Sequence, residues 1–100
     1  MTIKLVALWT APEDREGFLA DYDATHAGLA RSIPGLLSFE ASTSLDGKYL
    51  RMAQLAFADL ESFGAAMGTE QGAALAADSD RLTAEFGNTV DVLIVEVAPS

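Results

Sequence analysis

The sequence contains no cysteine and only one histidine among its 100 residues. A chain without cysteine forms no disulfide, no thiolate metal site and no cysteine nucleophile. The lack of cysteine is also compatible with the reducing cytoplasm, which is the location we expect. One histidine leaves only carboxylates as further metal ligands, and no loop has the spacing of a calcium site. We therefore expect no bound metal.

Basic residues are almost as scarce, with six Lys and Arg against fifteen Asp and Glu and a formal net charge of -9. The six are scattered, so they form no patch that could follow a phosphate backbone or an anionic membrane. No apolar run approaches the length of a membrane span. Residues 1–9 are typical of a strand rather than of a signal peptide. We expect neither nucleic acid nor membrane as a partner, and we attribute the acidity to solubility.

The sequence also lacks the motifs of two common kinds of site, nucleotide-binding loops and serine nucleophiles. No glycine-rich loop follows a strand, which disfavours a nucleotide cofactor. No serine stands in a strand-turn-helix elbow, which disfavours a serine hydrolase. We therefore expect no cofactor, and any chemistry has to come from the side chains themselves.

What the chain does contain is a regular succession of strands and helices, which we assign to one domain, residues 1–100. Apolar and β-branched runs predict strands over residues 2–10, 36–45, 49–57 and 89–97. Apolar positions at helical spacing predict helices over residues 12–32, 59–67 and 70–86. Capping and turn residues agree with these bounds. For the helices we expect Thr10 or Ala11 as the N-cap before Pro12, a stop at Ile33-Pro34-Gly35, caps at Asp59 and Thr69, and an end at Gly87-Asn88. Between the second and third strands we expect a two-residue hairpin turn at Asp46-Gly47.

The order β-α-β-β-α-β predicts an α+β, ferredoxin-like protomer, in which an antiparallel four-stranded sheet carries the helices on one face. In the first strand, alternate residues from Ile3 to Trp9 should share one face, and in the second strand we expect Leu37 and Phe39 to share one face. The strands are largely apolar on both faces, so the face without helices also needs cover. A second copy stacked sheet to sheet would supply it, and we therefore expect a homodimer through the sheet face.

The first helix places two polar rings on an otherwise apolar face. The face consists of five residues at helical spacing, Phe18, Tyr22, His26, Leu29 and Ile33. A neutral imidazole can accept and return a proton, so His26 is a candidate general base. Tyr22, one turn earlier, could donate a hydrogen bond to an enolate-like oxygen. The alternative is a core histidine bonded to a backbone carbonyl, with the tyrosine as its packing neighbour.

Asp78 is the third candidate catalytic residue, because it lies on an apolar face of the last helix. If that face meets the same pocket, its carboxylate could orient His26; otherwise it is an ordinary surface acid. Arg51 could bind a carboxylate, but pairing with Glu40 or Asp91 across the sheet or dimer interface is the simpler expectation. Large apolar side chains are expected to form the core and the walls of a substrate pocket, namely Trp9, Phe39, Phe57, Phe63, Leu82 and Phe86.

Several motifs along the chain match, in combination, the residue pattern of a known protein family. Phe18, Tyr22, His26 and Leu29 stand at spacings of four, four and three, and Ile33-Pro-Gly-Leu36 follows them. The later stretches Ala53-x-Leu55-x-Phe57-x-Asp59-Leu60 and 70–78 complete the pattern. Together they resemble the EthD-like family of the dimeric α+β barrel superfamily, over essentially the whole chain.

This resemblance implies a homodimer whose sheets face each other, with a small pocket in each protomer between its sheet and its helices. It also implies a role in the bacterial breakdown of small organic compounds such as ether fuel additives, or cofactor-free isomerisation, cyclisation or dehydration in polyketide and aromatic pathways. The single histidine disfavours any mechanism that needs a second imidazole.

Three functions are consistent with these observations. The first is binding of a small hydrophobic metabolite, with proton transfer by His26 and Tyr22 and no metal or nucleotide. The second is a non-catalytic accessory protein that serves an oxygenase pathway. The third is a cofactor-independent monooxygenase, as in other members of the superfamily.

Overall fold

A computed structural model describes residues 1–99. Its elements are β1 Ile3–Thr10, α1 Arg15–Asp21, a π-helical turn Tyr22–His26, α2 Ala27–Arg31, β2 Leu36–Thr43, β3 Tyr49–Phe57, α3 Leu60–Met67, α4 Glu70–Phe86 and β4 Val90–Glu96. The strands form one sheet in the order β2-β3-β1-β4, and every neighbouring pair is antiparallel. The predicted ferredoxin-like α+β fold is confirmed.

Strand β1 is central because it pairs with β3 on one side and with β4 on the other. Its alternate residues Ile3, Ala7 and Trp9 are buried, as the two-residue period of a strand requires. Trp9 is only 1% exposed and contacts the rings of Phe18 and Tyr22 on the first helix. The first helix therefore packs against this strand.

The caps of the later helices agree with the prediction. The carboxylate of Asp59 accepts the amide of Ser62 at 2.7 Å, and the hydroxyl of Thr69 accepts the amide of Gly72 at 3.1 Å. Gly87 ends α4 in the left-handed conformation at φ 67°, where a residue without Cβ has the advantage.

The predicted start of the first helix is wrong. Thr10 and Ala11 were expected near the N-cap, but their amides donate to Thr89 O at 2.9 Å and to Lys48 O at 3.0 Å. Because both residues are engaged with neighbouring segments, the helix begins only at Arg15. Asp14 caps it by accepting the amide of Gly17 at 2.9 Å.

The first helix also contains a π-helical turn that the apolar spacing did not predict. The amide of Ala27 donates to the carbonyl of Tyr22, five residues back rather than four. Such a turn adds one residue to the helical ladder, and π turns are frequent at functional sites. Tyr22 and His26, the two ends of this turn, are both buried.

The hairpin of β2 and β3 is present, but the two-residue turn predicted at Asp46-Gly47 is wrong. The strands end and begin at Thr43 and Tyr49, and the amide of Ser44 donates to Leu50 O at 2.7 Å. The hydroxyl of Ser44 donates to Asp46 O at 2.6 Å. This local hydrogen bond closes a wider loop than the Asp-Gly pair alone indicates.

Strand β2 contains a bulge that changes which side chains face the helices. Leu36 lies opposite Phe57, whereas Ser38 already lies opposite Ala56. The residue between them, Leu37, is 61% exposed, whereas Phe39 packs against the core, so the prediction that the two share one face is wrong. The extra residue of a bulge interrupts the alternation on which that prediction rested.

The sheet face without helices carries apolar side chains from three strands. The strand register places Val6 beside Leu93 and Leu8 beside Met52 on this face. Leu93 is 51% exposed and Val95, on the same face, is 36% exposed. Contiguous exposed apolar surface is typical of an interaction site. Within residues 1–99, no helix has both the length and the apolar character needed to cross a membrane.

We predict opposite effects for alanine at two glycines. Gly87→Ala should lower the free energy of unfolding by about 1 kcal/mol, because its positive φ strains a residue with Cβ. Gly28→Ala should raise it by about 0.5–1 kcal/mol, because the position is helical and a Cβ there meets no atom within 4 Å. Urea unfolding monitored by circular dichroism measures both values. Equal effects of the two substitutions would contradict the assigned conformations.

Candidate functional site

A cavity of about 290 Å³ lies between the sheet and the helices. All four strands, the π turn and helices α2, α3 and α4 contribute to its wall, which is mainly apolar. Three lining residues, Ala76 and Asp80 of α4 and Val92 of β4, are exposed, so the cavity reaches the surface between these elements. A concave apolar space with few polar groups is the usual form of a small-molecule site.

The polar centre beside this cavity is a hydrogen bond between His26 and Asp78. Nδ1 of His26 lies 2.8 Å from Oδ2 of Asp78, and both side chains are buried. The two residues are 52 positions apart and come from the π turn and from α4. The imidazole lines the cavity, whereas Asp78 is behind it and does not belong to the cavity wall.

The protonation state of the pair follows from its surroundings. Burial lowers the pKa of His26 below its ordinary value of 6.5, and it outweighs the opposing hydrogen bond from Asp78. Burial alone would raise the pKa of Asp78, but hydrogen bonds from Arg81 and His26 hold that pKa below its ordinary value of 3.8. At neutral pH the imidazole is therefore neutral and the carboxylate is ionised.

This state determines which ring nitrogen is free. An ionised carboxylate only accepts hydrogen bonds, so Nδ1 of His26 carries the proton and donates a hydrogen bond to Asp78. The lone pair is then on Nε2, which has no hydrogen-bonding partner within residues 1–99. The arrangement presents an unprotonated ring nitrogen next to an apolar cavity.

Tyr22 and Trp9 surround the imidazole and also line the cavity. Their ring centroids lie 4.9 and 5.1 Å from that of His26. The hydroxyl of Tyr22 and Nε1 of Trp9 are buried and have no partner in the described part of the chain. A buried polar group left unpaired costs about 1–3 kcal/mol, and such groups in native structures call for a functional explanation.

Tyr22 remains a hydrogen-bond donor over the whole physiological range. Burial raises the pKa of its phenol to about 12, although the guanidinium of Arg51 lies 4.7 Å from the ring centroid and works against the shift. The neutral O–H therefore keeps its proton as a hydrogen-bond donor.

The predicted substrate-binding residues divide into two groups. Trp9 and Phe39 line the cavity. The other four do not reach it and lie in or against the apolar core, namely Phe57, Phe63, Leu82 and Phe86. These four residues therefore belong to the core part of the prediction and not to the cavity wall.

The reason is their position along the elements. Phe57 lies opposite Ile3, beyond the end of the cavity marked by Leu5 and Leu55, and it packs edge-on against Phe63 at 5.5 Å. Phe86 packs against Phe18 at 5.6 Å, on the first helix. Apolar spacing alone identifies buried faces, but it does not distinguish a cavity wall from close-packed core.

Two arginines next to the site were missed or misassigned. Arg51 was expected to pair with Glu40 or Asp91, and that prediction is wrong: it donates to Asp23 at 2.8 Å and to Thr43 at 3.1 Å. Asp91 instead accepts the hydroxyl of Tyr49 at 2.8 Å. Arg51 lies opposite Trp9 and so on the helix-facing side of the sheet, which the strand alternation could have indicated.

Arg81 is the second of these residues. Its Nε donates to Oδ1 of Asp78 at 2.7 Å, so Arg81 belongs to the same polar group as His26. The spacing of three residues from Asp78 on one helix is the signal in the sequence that could have found it.

No model of a known protein family matches this chain, and no curated protein sequence does. Among solved structures, an ethyl tert-butyl ether D (EthD) family protein from Bacillus halodurans is 31% identical, with a TM-score of 0.90 and coverage of 98% of this chain and 100% of that chain.

Two less similar structures share the fold. SnoaB, a cofactor-independent oxygenase from Streptomyces nogalater, is 15% identical with a TM-score of 0.75, covering 99% of this chain and 95% of its own. A dimeric ferredoxin-like protein of unknown function from Jannaschia is 20% identical with a TM-score of 0.70, covering 97% of this chain and 100% of its own.

We predict that stability falls as the pH decreases below about 6.5, the ordinary pKa of histidine. Because the folded-state pKa of His26 is lowered, the unfolded chain binds its proton first, so the free energy of unfolding decreases as the pH falls from 6.5 toward the folded-state value. His26→Gln removes the titrating group and should flatten this slope. Urea unfolding at several pH values measures it, and an equal slope in the two proteins would contradict the burial of a neutral imidazole.

Proposed function

This chain belongs to the ethyl tert-butyl ether D (EthD) family, and from that premise we propose that it binds a small apolar molecule with a carbonyl or enol oxygen and catalyses a cofactor-free proton transfer on it. The observation that carries the proposal is the hydrogen bond from Nδ1 of His26 to Asp78 at 2.8 Å, beside an apolar cavity. It leaves Nε2 as a general base, held in a defined orientation.

The geometry supports a specific division of roles. Nε2 of His26 takes a proton from the carbon next to the carbonyl, and the C–H electron pair passes into an enolate. The Tyr22 hydroxyl donates a hydrogen bond to the enolate oxygen, where negative charge develops. Asp78 stabilises the imidazolium that forms, without taking its proton.

The fate of the enolate then defines the reaction. Return of the proton to a different carbon gives an isomer. Loss of a hydroxyl group that the imidazolium protonates gives water and a dehydrated product. Attack of the enolate carbon on a second carbonyl, followed by protonation of the alkoxide, closes a ring. All three outcomes use the same base and the same hydrogen-bond donor.

The size and polarity of the cavity support a small, mostly apolar substrate. Its volume of about 290 Å³ lies at the lower end of the range of ligand sites. Trp9, Phe39 and Leu75 offer apolar contact surface, while polar groups cluster at His26. A molecule of one or two rings with one oxygen near the imidazole matches this distribution.

Two other functions lead to different observations. An accessory protein of an oxygenase pathway would bind such a molecule saturably without changing it. A cofactor-independent oxygenase would use the same deprotonated substrate to reduce O₂, so oxygen consumption would accompany turnover. The base at His26 serves the proton transfer and the oxygenation equally, which makes oxygen uptake the deciding measurement.

We test the base with hydrogen exchange of an enolisable ketone. In D₂O the protein should exchange the α-protons of 2-tetralone, or of related aryl and cyclic ketones, faster than buffer does, as followed by NMR. His26→Gln should reduce this rate by about 10²–10⁴-fold and Tyr22→Phe by about 10²–10³-fold, since they remove the general base and an enolate-binding donor.

Circular dichroism and urea unfolding of both variants provide the control for folding. Leu60→Gln is the control for activity: Leu60 is 64% exposed and does not line the cavity, so this variant should exchange at the wild-type rate. Exchange by His26→Gln at the wild-type rate would contradict the proposed base. Saturable binding without exchange would support the accessory role instead.

We also propose that the protein is a homodimer, formed through the sheet face that carries no helix. The partly exposed apolar side chains of Leu93, which lies opposite Val6 on β1, and of Val95 support this interface. The solved structure from Jannaschia is described as dimeric. Burying this stripe against a second copy would remove apolar area from water at about 25 cal/mol per Å².

Analytical ultracentrifugation tests the dimer at micromolar concentration. Leu93→Asp should weaken association by at least about tenfold, because it places a charge in the proposed apolar interface. Leu45→Asp is the matched control: the same substitution at a loop residue that is 97% exposed should have no effect. A monomeric wild-type protein, or equal weakening by the two substitutions, would contradict the sheet-face interface.

A further inference from the structure

Arg81 lies behind the His26–Asp78 pair and belongs to none of the roles described above. We propose that Arg81 is a positioning residue: it holds the Asp78 carboxylate in the one orientation that fixes the proton of His26 on Nδ1 and leaves Nε2 free toward the cavity. This inference deepens the proposed function, because it rests on Nε2 being the working atom of the site.

The two oxygens of Asp78 are used by different donors. Oδ1 accepts Nε of Arg81 at 2.7 Å, and Oδ2 accepts Nδ1 of His26 at 2.8 Å. Rotation of the carboxylate would therefore break at least one hydrogen bond to a buried or charged partner. With Oδ1 held by Arg81, the remaining oxygen is directed at the imidazole.

Arg81 is itself anchored to a second helix. Its terminal nitrogens donate to the two oxygens of Asp21 at 2.7 and 3.0 Å, a bidentate pair across 60 positions of sequence. A further bond to Glu85 at 2.9 Å lies on the exposed side. The planar guanidinium can make the fork to Asp21 and the Nε bond to Asp78 together, which an ammonium group cannot do.

Arg81 also balances the charge that the imidazole faces. The charged groups whose electrostatics act on His26 are Asp78 and Arg81 from α4 and Asp21 from α1. Without the guanidinium, the ring would face carboxylates alone, and these favour the protonated imidazolium, which is not a base. A cation at this place keeps Asp78 ionised as an acceptor while His26 stays neutral.

The single histidine allows a direct test. In uniformly ¹⁵N-labelled protein without any ligand, the two ring nitrogens of His26 give one set of signals, and their shifts report which nitrogen carries the proton. We expect wild-type protein to show the Nδ1–H tautomer. Arg81→Met should lose this preference and give a mixture of tautomers, with the titration midpoint of His26 moved to higher pH.

Two further variants complete the experiment. Arg15→Met makes the same chemical change at an exposed position in the first turn of α1 and should leave the tautomer as in wild type. Arg81→Lys keeps the charge but cannot make the fork, so it should also lose the Nδ1–H preference; it replaces Arg81→Met if that variant does not fold.

Retention of the wild-type tautomer in the folded Arg81 variant overturns the proposal, whatever its stability. The result is independent of turnover and of ligand binding. A cavity that binds and exchanges no ketone would refute the proposed function while leaving the positioning of His26 intact. An unchanged tautomer in an active variant would refute the positioning alone.

Discussion

The hydrogen bond between His26 and Asp78 is the interaction on which the site depends. It joins the first helix to the last one, since the partners come from the π turn and from α4. A carboxylate that is 8% exposed is tolerated only when its oxygens are paired, and here the imidazole and Arg81 take one each. Loss of either partner would leave one oxygen of a buried carboxylate without its hydrogen bond, which lowers the free energy of unfolding. The same bond that meets this structural requirement also leaves the other imidazole nitrogen free.

The polar groups around the cavity are organised in two classes. Asp78, Arg81 and Asp21 are paired with one another and lie away from the cavity wall. Tyr22 and Trp9 lie in the wall, and their buried donor atoms have no partner within residues 1–99. A packed core with unpaired donors is less stable than one of similar shape without them, so their clustering beside His26 lowers the stability of this part of the fold.

Most of the fold could be predicted from the sequence, because its signals are local. Asp59 and Thr69 accept the amides three residues later, as caps do in any helix, and Gly87 has the positive φ expected after the last turn. The errors occur where neighbouring segments compete with a local signal. Thr10 could have capped a helix, but its amide is hydrogen-bonded to Thr89. Leu37 does not follow the alternation of its strand, because a bulge opposite β3 interrupts it.

The sequence by itself determined the order of the elements and brought Tyr22 and His26 to one helical face, because helical spacing relates residues four apart without help from the rest of the chain. Only the tertiary structure decided what that face meets. The pairing of His26 with Asp78, 52 positions away, and of Arg81 with Asp21, 60 positions away, depends on how two helices lie on one sheet. Whether an aromatic residue lines a cavity, as Phe39 does, or fills the core, as Phe57 does, depends on its distance from the sheet end. The hydrophobic periodicity of one segment does not reveal such contacts, because each contact depends on how two distant segments pack against each other.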